Sequence, residues 1–231
     1  AEYVEVMRKM WSATEPFDFD GEFYTFKNAF ALVRPKDGAI PVYWGGTSDL
    51  ALDLAGKCAD VYALGGDTFA GAGELAGKAL AAAERHGRDL KVLMTMVVIV
   101  GETEEAAWER ANTLYENVVA QGTPGIMAAH EKEGDAPAAG AFQRMLQRAQ
   151  EGERLDRCLW TGLNKAFKGR GNNSVLVGTV DQIVDSLMEY RRLGITRFLL
   201  RGPDQDNDAD VIGNTLVPAF RQKVAEVEGQ N

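Results

Sequence analysis

The sequence is poor in the residues that build metal centres and disulfide frameworks. It has only two cysteines, Cys58 and Cys158, which lie far apart and form no motif, and only two histidines. No Cys/His cluster with metal-ligand spacing and no Ser-His-Asp spacing stands out, so we predict no metal site. Because cysteines are few and no signal peptide is evident, the sequence predicts a cytoplasmic protein.

Two further absences limit the partners. No apolar run approaches the ~20 residues that a membrane-spanning helix needs, which argues against a membrane protein. Basic residues are outnumbered, with 25 Lys and Arg against 34 Asp and Glu and a formal net charge of −9. This balance argues against a nucleic acid or an anionic membrane as partner. With 231 residues, 45% of them hydrophobic, the chain can form one large or two small domains with an ample core.

The stretch PVYWGGTS, from Pro41 to Ser48, predicts a short strand, a glycine turn and the start of a helix. Gly45 and Gly46 allow a tight turn that a ligand can approach closely, and Thr47 or Ser48 can cap the helix that follows. Free N–H groups, a favourable helix dipole and two hydroxyls make this junction a candidate anion site, most simply for a phosphate. The alternative is a turn without a ligand, because many βα turns contain Gly-Gly.

Short apolar segments alternate with amphipathic helices along the rest of the chain. Four of these segments predict strands, near residues 40–44, 60–64, 92–100 and 196–200. The alternation indicates parallel βαβ units. The stretch 122–173 is largely polar and irregular. It is long for a connection, so we predict that it is an insertion or a lid segment.

Aspartates alternate from Asp204 to Asp210 in a way that resembles a calcium-binding loop. However, Ala209 and Thr215 stand where such a loop needs Gly and Glu. Acidic residues are favourable at the start of a helix, because they complement its dipole. We therefore interpret these aspartates as the beginning of the last helix.

Several short motifs follow one another along nearly the whole chain. They are Gly21-Glu-Phe-Tyr24, Pro41–Ser48, Ala59-Asp-Val-Tyr62, Val98–Glu104 with Ala107-Trp108, Leu159-Trp-Thr-Gly162, Ser174–Gly178 and Gly194–Leu200. No single motif is highly specific, but the ordered set resembles the bacterial-luciferase-like flavin-dependent monooxygenase superfamily. Within it, the sequence is most similar to the alkanesulfonate monooxygenase group.

The resemblance implies a (β/α)8 TIM barrel of the luciferase-like type. It also implies that this chain covers the C-terminal part of the barrel, about strands 5–8, and that residues 1–231 belong to a single domain with an insertion at 122–173. Four parallel strands cannot close a barrel, because both edges of the sheet stay unpaired. We therefore expect that upstream residues or an associated chain complete it.

The implied function is that of an FMNH2-dependent monooxygenase. FMN, reduced by a separate NAD(P)H-dependent flavin reductase, activates O2 as a flavin peroxide that oxidises a small organic substrate at the carboxyl end of the barrel. The turn that holds the FMN phosphate in this family corresponds to Gly45, Gly46, Thr47 and Ser48. Tyr62 is a further candidate for cofactor binding, or else a core tyrosine satisfied by one hydrogen bond. The resemblance also implies a homo-oligomer.

Three positions depart from the sulfonate enzymes. Where that group has Arg and His on its long strand and Tyr after its last strand, this sequence has Thr95, Val97 and Pro203. The change removes the cationic pocket that a sulfonate needs, so we do not expect an alkanesulfonate substrate. Thr95 is a candidate to hydrogen-bond the substrate or the flavin ring, and Lys168 and Arg170 are candidates for a basic lid over an anionic ligand.

Two other functions stay open on the sequence alone. One is a deazaflavin (F420)-dependent oxidoreductase of the same superfamily, in which the cofactor carries hydride and does not activate oxygen. The other is a non-catalytic member that binds or stores flavin, which the missing Arg, His and Tyr favour. Oxygen consumption separates the first from a monooxygenase, and turnover on a panel of substrates separates the second.

Overall fold

All four segments that the apolar pattern indicates form strands of the central sheet. The computed structural model describes residues 1–121, 140–167 and 174–229. Its strands are β1 (Phe17–Asp20), β2 (Thr25–Ala29), β3 (Tyr43–Trp44), β4 (Val61–Gly65), β5 (Lys91–Val100), β6 (Arg154–Leu155), β7 (Leu159–Trp160), β8 (Val175–Gly178) and β9 (Arg197–Arg201). Its helices are α1 (Glu2–Ser12), α2 (Asp49–Cys58), α3 (Phe69–Arg85), α4 (Glu104–Gln121), α5 (Ala141–Glu151), α6 (Gly162–Ala166), α7 (Val180–Arg192), α8 (Gln205–Val211), a π-helical segment (Ile212–Leu216) and α9 (Val217–Glu228).

Strands β3, β4, β5 and β9 form a parallel sheet in that order, as the sequence predicts. Thr95 of β5 lies opposite Gly65 on one side and opposite Leu199 on the other, which sets the register of three strands. The last four residues of β5 pair with β8. β7 and β6 then continue the sheet as antiparallel strands.

One face of this sheet carries the larger apolar core. Tyr62, Met94 and Leu176 point to this face and are fully buried together with apolar side chains of α2, α3 and α7. Side chains alternate between faces along a strand, so every second residue of β4, β5 and β8 belongs to this core. Each such side chain contributes about 1.5–3 kcal/mol by leaving water. This core fixes the strand ends on which the candidate site is built.

The opposite face is only partly covered. Tyr43 of β3 and Leu199 of β9 are 55% and 56% exposed, and Arg197 and Arg201 are also exposed. In a closed (β/α)8 barrel this face would be the interior. A curled parallel sheet with helices packed on its other face is a partial barrel, so the predicted fold is confirmed.

The residues between α5 and β8 are more regular than their composition indicates. β7 lies antiparallel to β8, and Trp160 packs edge-on against Trp108 of α4, with ring centroids 6.4 Å apart. The Arg154 guanidinium lies 3.6 Å from the centroid of the Trp108 ring. This part of the predicted insertion is therefore built into the sheet, and its role as a lid stays a prediction. Within the described residues, no helix is long and apolar enough to cross a membrane.

Candidate functional site

The turn between β3 and α2 has the geometry that the sequence predicts. Ser48 caps α2, and its Oγ accepts a hydrogen bond from the Ala51 N–H at 3.2 Å. Gly46 has a φ of +127°, and a Cβ at this position would lie 2.7 Å from the Ala51 Cβ, so only glycine fits without strain. Gly45, Gly46 and Ser48 are exposed, and Thr47 is half-buried. Because the first N–H groups of a helix lack intrahelical partners, this turn offers hydrogen-bond donors to a ligand.

Tyr62 holds this turn from the protein interior. Its side chain is 0% exposed, and its hydroxyl donates a hydrogen bond to the Gly46 carbonyl oxygen at 2.9 Å. Burial raises the pKa of Tyr62 to about 12, so the hydroxyl keeps its proton near neutral pH. The structure thus gives Tyr62 a role in positioning the turn, and its direct contact with a cofactor stays a prediction.

A second turn of the same type, Gly65–Thr68 with the sequence GGDT, follows β4. Thr68 caps α3, and its Oγ1 accepts a hydrogen bond from the Gly71 N–H at 3.1 Å. The Asp67 carboxylate is buried at the same helix start and accepts a hydrogen bond from the Thr68 N–H at 2.8 Å. The Tyr190 hydroxyl donates to the Asp67 carbonyl oxygen at 2.7 Å. A carboxylate of the chain itself therefore occupies the anion position of this turn.

Two arginines of α5 neutralise the Asp67 carboxylate. Arg148 Nε lies 3.0 Å from Oδ1, and Arg144 Nη2 lies 3.2 Å from Oδ2 and 3.7 Å from a carboxylate oxygen of Glu74. The arginines lie 77 and 81 residues from Asp67 along the chain, so sequence analysis missed this cluster. The available signal was the spacing of two arginines one helical turn apart, which puts both on one face of α5.

Helix α5 also reaches the first turn. A Cβ built on Gly140, the residue before α5, would lie 3.5 Å from Thr47 Oγ1. A small cavity between the two turns is lined by Thr47, Gly65, Gly66 and Arg144 among others. The buried Arg144 Nε has no hydrogen-bond partner within the described residues. The same helix therefore closes the second turn and places a cation beside the first.

Buried polar side chains hold the second turn from the side of β8. Ser174 Oγ donates a hydrogen bond to the Gly66 carbonyl oxygen at 2.7 Å, and Asn164 Nδ2 donates to Ser174 Oγ at 3.1 Å. Both side chains are buried, where a hydrogen bond that is lost is costly. This chain of bonds fixes the start of β8 against the end of β4. Sequence analysis missed it, because the motif that contains Ser174 indicates a strand and not a hydrogen bond to a turn 108 residues away.

The other candidate residues lie on β5 and after β9. Thr95 is half-buried, and its carbonyl oxygen accepts a hydrogen bond from the Gly66 N–H at 3.0 Å, so its backbone supports the second turn. Val97 is buried in the smaller apolar cluster with Trp160. Pro203 lines a separate cavity between α4 and the loop after β9. The catalytic role of Thr95 stays a prediction.

Lys168 and Arg170, the candidates for a basic lid, lie outside the described residues. Asp204 caps α8 by accepting a hydrogen bond from the Asn207 N–H at 3.3 Å, as the helix-start interpretation predicts. In the part of the chain that the structure describes, no group of three or more His, Cys, Asp or Glu side chains could hold a metal ion.

Comparison with known proteins gives matches over almost the whole chain. A sequence model described as luciferase-like monooxygenase matches residues 1–197. A sulfoquinovose monooxygenase from Agrobacterium fabrum is 33% identical over 227 residues, which cover 95% of this chain and 57% of that protein. The chain thus spans little more than half the length of this relative.

Two solved structures share the fold at low identity. Riboflavin lyase RcaE, in complex with modified FMN and riboflavin, has a TM-score of 0.69 at 16% identity, with 96% of this chain and 56% of that chain covered. The coenzyme F420-dependent tetrahydromethanopterin reductase of Methanopyrus kandleri has a TM-score of 0.62 at 19% identity, with 95% and 62% covered.

Proposed function

Because the chain belongs to the luciferase-like monooxygenase family, we propose that it forms the phosphate-binding half of an enzyme that uses reduced FMN and O2 to oxidise a small organic substrate. The observation that carries this proposal is the exposed turn between β3 and α2, with Ser48 as its helix cap. In this proposal Gly45, Gly46, Thr47 and Ser48 hold the phosphate of the cofactor. Supply of reduced FMN by a separate flavin reductase, assembly as a homo-oligomer and a cytoplasmic location belong to the same proposal.

The groups of this turn fit a phosphate monoester. Ser48 Oγ accepts a hydrogen bond from the Ala51 N–H, so the O–H of Ser48 can still donate to a ligand. The Thr47 hydroxyl and the first N–H groups of α2 add further donors, and the dipole of this ten-residue helix favours a negative charge. Glycine at position 46 allows the turn to form, because a Cβ there would collide with Ala51. The hydrogen bond from Tyr62 keeps these donors in one arrangement before the ligand arrives.

In this proposal the residues of the chain bind and orient the cofactor and do not themselves react. When bound, reduced FMN supplies the electrons that activate O2. The strand ends beside the turn, with Thr95 and Leu199 on the partly covered face, belong to the barrel end where related folds carry their active sites. Thr95 is the residue of this region whose hydroxyl can orient a substrate.

A sulfonated sugar is the substrate class that we favour. The relative with 33% identity carries the name sulfoquinovose monooxygenase. A sugar hydroxyl suits the Thr95 hydroxyl, and Arg201, exposed on the same face of the sheet, supplies a positive charge for a sulfonate. A plain alkanesulfonate is less favoured, because it offers no sugar hydroxyl to Thr95.

Titration of the purified protein with FMN and riboflavin tests the phosphate site. Ser48→Asp keeps an oxygen that can cap α2 but adds a negative charge. We expect Ser48→Asp to lower the affinity for FMN at least tenfold, while the affinity for riboflavin and the helix content stay unchanged. Equal FMN affinity in the wild type and this variant would contradict the proposal. Ser48→Asn, which caps without charge, is the matched control.

An F420-dependent oxidoreductase is the second candidate, supported by the shared fold of the F420-dependent reductase. Oxygen consumption by the protein with FMNH2 and a sulfonated sugar distinguishes the two. Consumption of O2 with product formation supports the monooxygenase. Hydride transfer from reduced F420 without use of O2 supports the second candidate, and FMN binding without turnover of any substrate supports a non-catalytic flavin-binding protein.

A further inference from the structure

Arg144 has donors that its present partners leave unused. Its described contacts with Asp67, with Glu74 and with the Gly71 carbonyl oxygen all run through Nη2. Its Nε is buried and has no hydrogen-bond partner in residues 1–121, 140–167 and 174–229. A buried guanidinium N–H without a partner is costly, so this donor calls for an acceptor that the described residues do not provide.

Each carboxylate that contacts Arg144 also has another partner for its negative charge. Asp67 keeps the guanidinium of Arg148 at 3.0 Å and the Thr68 N–H at 2.8 Å. Glu74 keeps the ammonium group of Lys78 at 3.0 Å. Arg144 can therefore turn toward another anion without leaving a buried carboxylate unpaired, which would otherwise oppose the movement.

Arg144 also lies close to the first turn. Arg144 lines the same small cavity as Thr47, and a Cβ built on Gly140, the residue before its helix, would lie 3.5 Å from the Thr47 hydroxyl. The positive charge of Arg144 favours the ionised form of Tyr62 and so opposes the effect of burial on the pKa of that side chain. Since the Tyr62 hydroxyl is bonded to Gly46, the charge acts within electrostatic range of the GGTS turn.

We propose that Arg144 binds the cofactor phosphate at the GGTS turn, as a ligand that α5 brings from the opposite side. This inference rests on the proposed function and adds a charged residue that the turn itself lacks. Guanidinium–phosphate contacts are charge-assisted and can be bidentate, so they are strong and depend on geometry. In the same arrangement Arg148 stays on Asp67 and anchors α5.

The affinities for FMN and for riboflavin, which lacks the phosphate, test this inference in the purified protein. We expect Arg144→Gln to lower the affinity for FMN at least tenfold and to leave the affinity for riboflavin within twofold of the wild type. Arg157→Gln is the control, because the Arg157 guanidinium pairs with the exposed Asp185 and does not contribute to the pairing of Asp67. We expect Arg157→Gln to leave both affinities unchanged.

Two further measurements complete the test. Arg144→Lys keeps the charge and should recover part of the FMN affinity, and inorganic phosphate should compete with FMN less well in Arg144→Gln than in the wild type. An equal loss of FMN and riboflavin affinity in Arg144→Gln, or no loss in either, would overturn the role of Arg144 alone. Failure of the wild type to bind FMN would overturn the proposed function itself, so the two failures are distinct.

Discussion

The turn after β3 and the turn after β4 share a pattern of two glycines, one polar residue and a hydroxyl helix cap. In each, a buried tyrosine donates its hydroxyl to a backbone carbonyl of the turn. They differ at the third position, where Thr47 is neutral and half-buried and Asp67 is charged and buried. The second turn is thus filled by its own carboxylate and two arginines, while the first stays open. The side chain at the third position therefore distinguishes a junction that pairs with a neighbouring helix from one that stays exposed.

Removal of the Asp67 carboxylate from the second turn should lower the stability of the protein more than any other change considered below. Asp67→Ala leaves Arg144 and Arg148 partly buried without their main partner, and we expect the free energy of unfolding to fall by about 3–5 kcal/mol. Urea denaturation followed by circular dichroism measures this change. Asp49→Ala, which removes an exposed aspartate at the start of α2, is the control and should lower the free energy of unfolding by less than about 1 kcal/mol. Equal midpoints for the two variants would show that Asp67 does not anchor α5.

A carboxylate added to the first turn should make it similar to the turn after β4, in which Asp67 occupies the third position. Thr47→Asp creates the sequence GGDS, and its negative charge would lie where we place the phosphate. We expect about a hundredfold loss of FMN affinity, or about 2.7 kcal/mol, because like charges in contact cost several kcal/mol. Isothermal titration calorimetry measures it, with the neutral Thr47→Asn as control. FMN affinity within threefold of the wild type in Thr47→Asp would argue that this turn binds no anion.

Alkaline pH should destabilise the folded protein by ionising Tyr62, whose hydroxyl is bonded to the first turn. The pKa of Tyr62 rises from 10.0 to about 12 in the folded protein, so the folded state retains a proton that the unfolded chain loses. This contribution to stability is complete below pH 10 and is lost between pH 10 and 12, by about 2–3 kcal/mol. Unfolding midpoints measured across this range should fall less steeply in Tyr62→Phe than in the wild type. Parallel curves would contradict the buried, protonated hydroxyl.

At neutral pH the hydrogen bonds from Tyr62 to Gly46 and from Tyr190 to Asp67 should contribute differently to the free energy of unfolding. Tyr190→Phe leaves the carbonyl of buried Asp67 without this donor, at a cost of about 1–3 kcal/mol, whereas Tyr62→Phe exposes the Gly46 carbonyl to water and costs about 0.5–1.5 kcal/mol. Chemical denaturation of both variants checks the order. A larger loss in Tyr62→Phe would mean that the first turn is less open to solvent than its exposure indicates.

Local features of the site were predictable from the sequence. The glycines, the Ser48 cap and the pairing of β3, β4 and β5 all depend on contacts within about 30 residues, and the structure has them. The strand Leu159–Trp160 was not distinguishable from an irregular segment, because two residues are too few to show alternation. The π-helical segment that separates α8 from α9, just before Pro218, was not predictable either, because helical periodicity does not distinguish a π-helical turn.

The cluster around Asp67 shows why the long-range contacts of the site were not predictable from the sequence. Its partners on α5 and α7 are brought together only by tertiary packing, and an arginine on an amphipathic helix usually faces solvent. The partly buried positions of Arg144 and Arg148 depend on how α5 packs over the strand ends. The position of a charge in the fold, and not its presence in the sequence, decides its role here.

The hydrogen bond from Tyr62 to Gly46 spans 16 residues, whereas the bonds from Arg148 and Tyr190 to Asp67 span 81 and 123. Short loops close at a lower entropic cost than long ones, and local contacts form early in folding. The first turn is therefore complete once the unit of β3, α2 and β4 has formed, while the second is completed only when the chain as far as α7 has collapsed. Sequence separation thus distinguishes a turn that is held by local contacts from one that is held by contacts between distant parts of the chain.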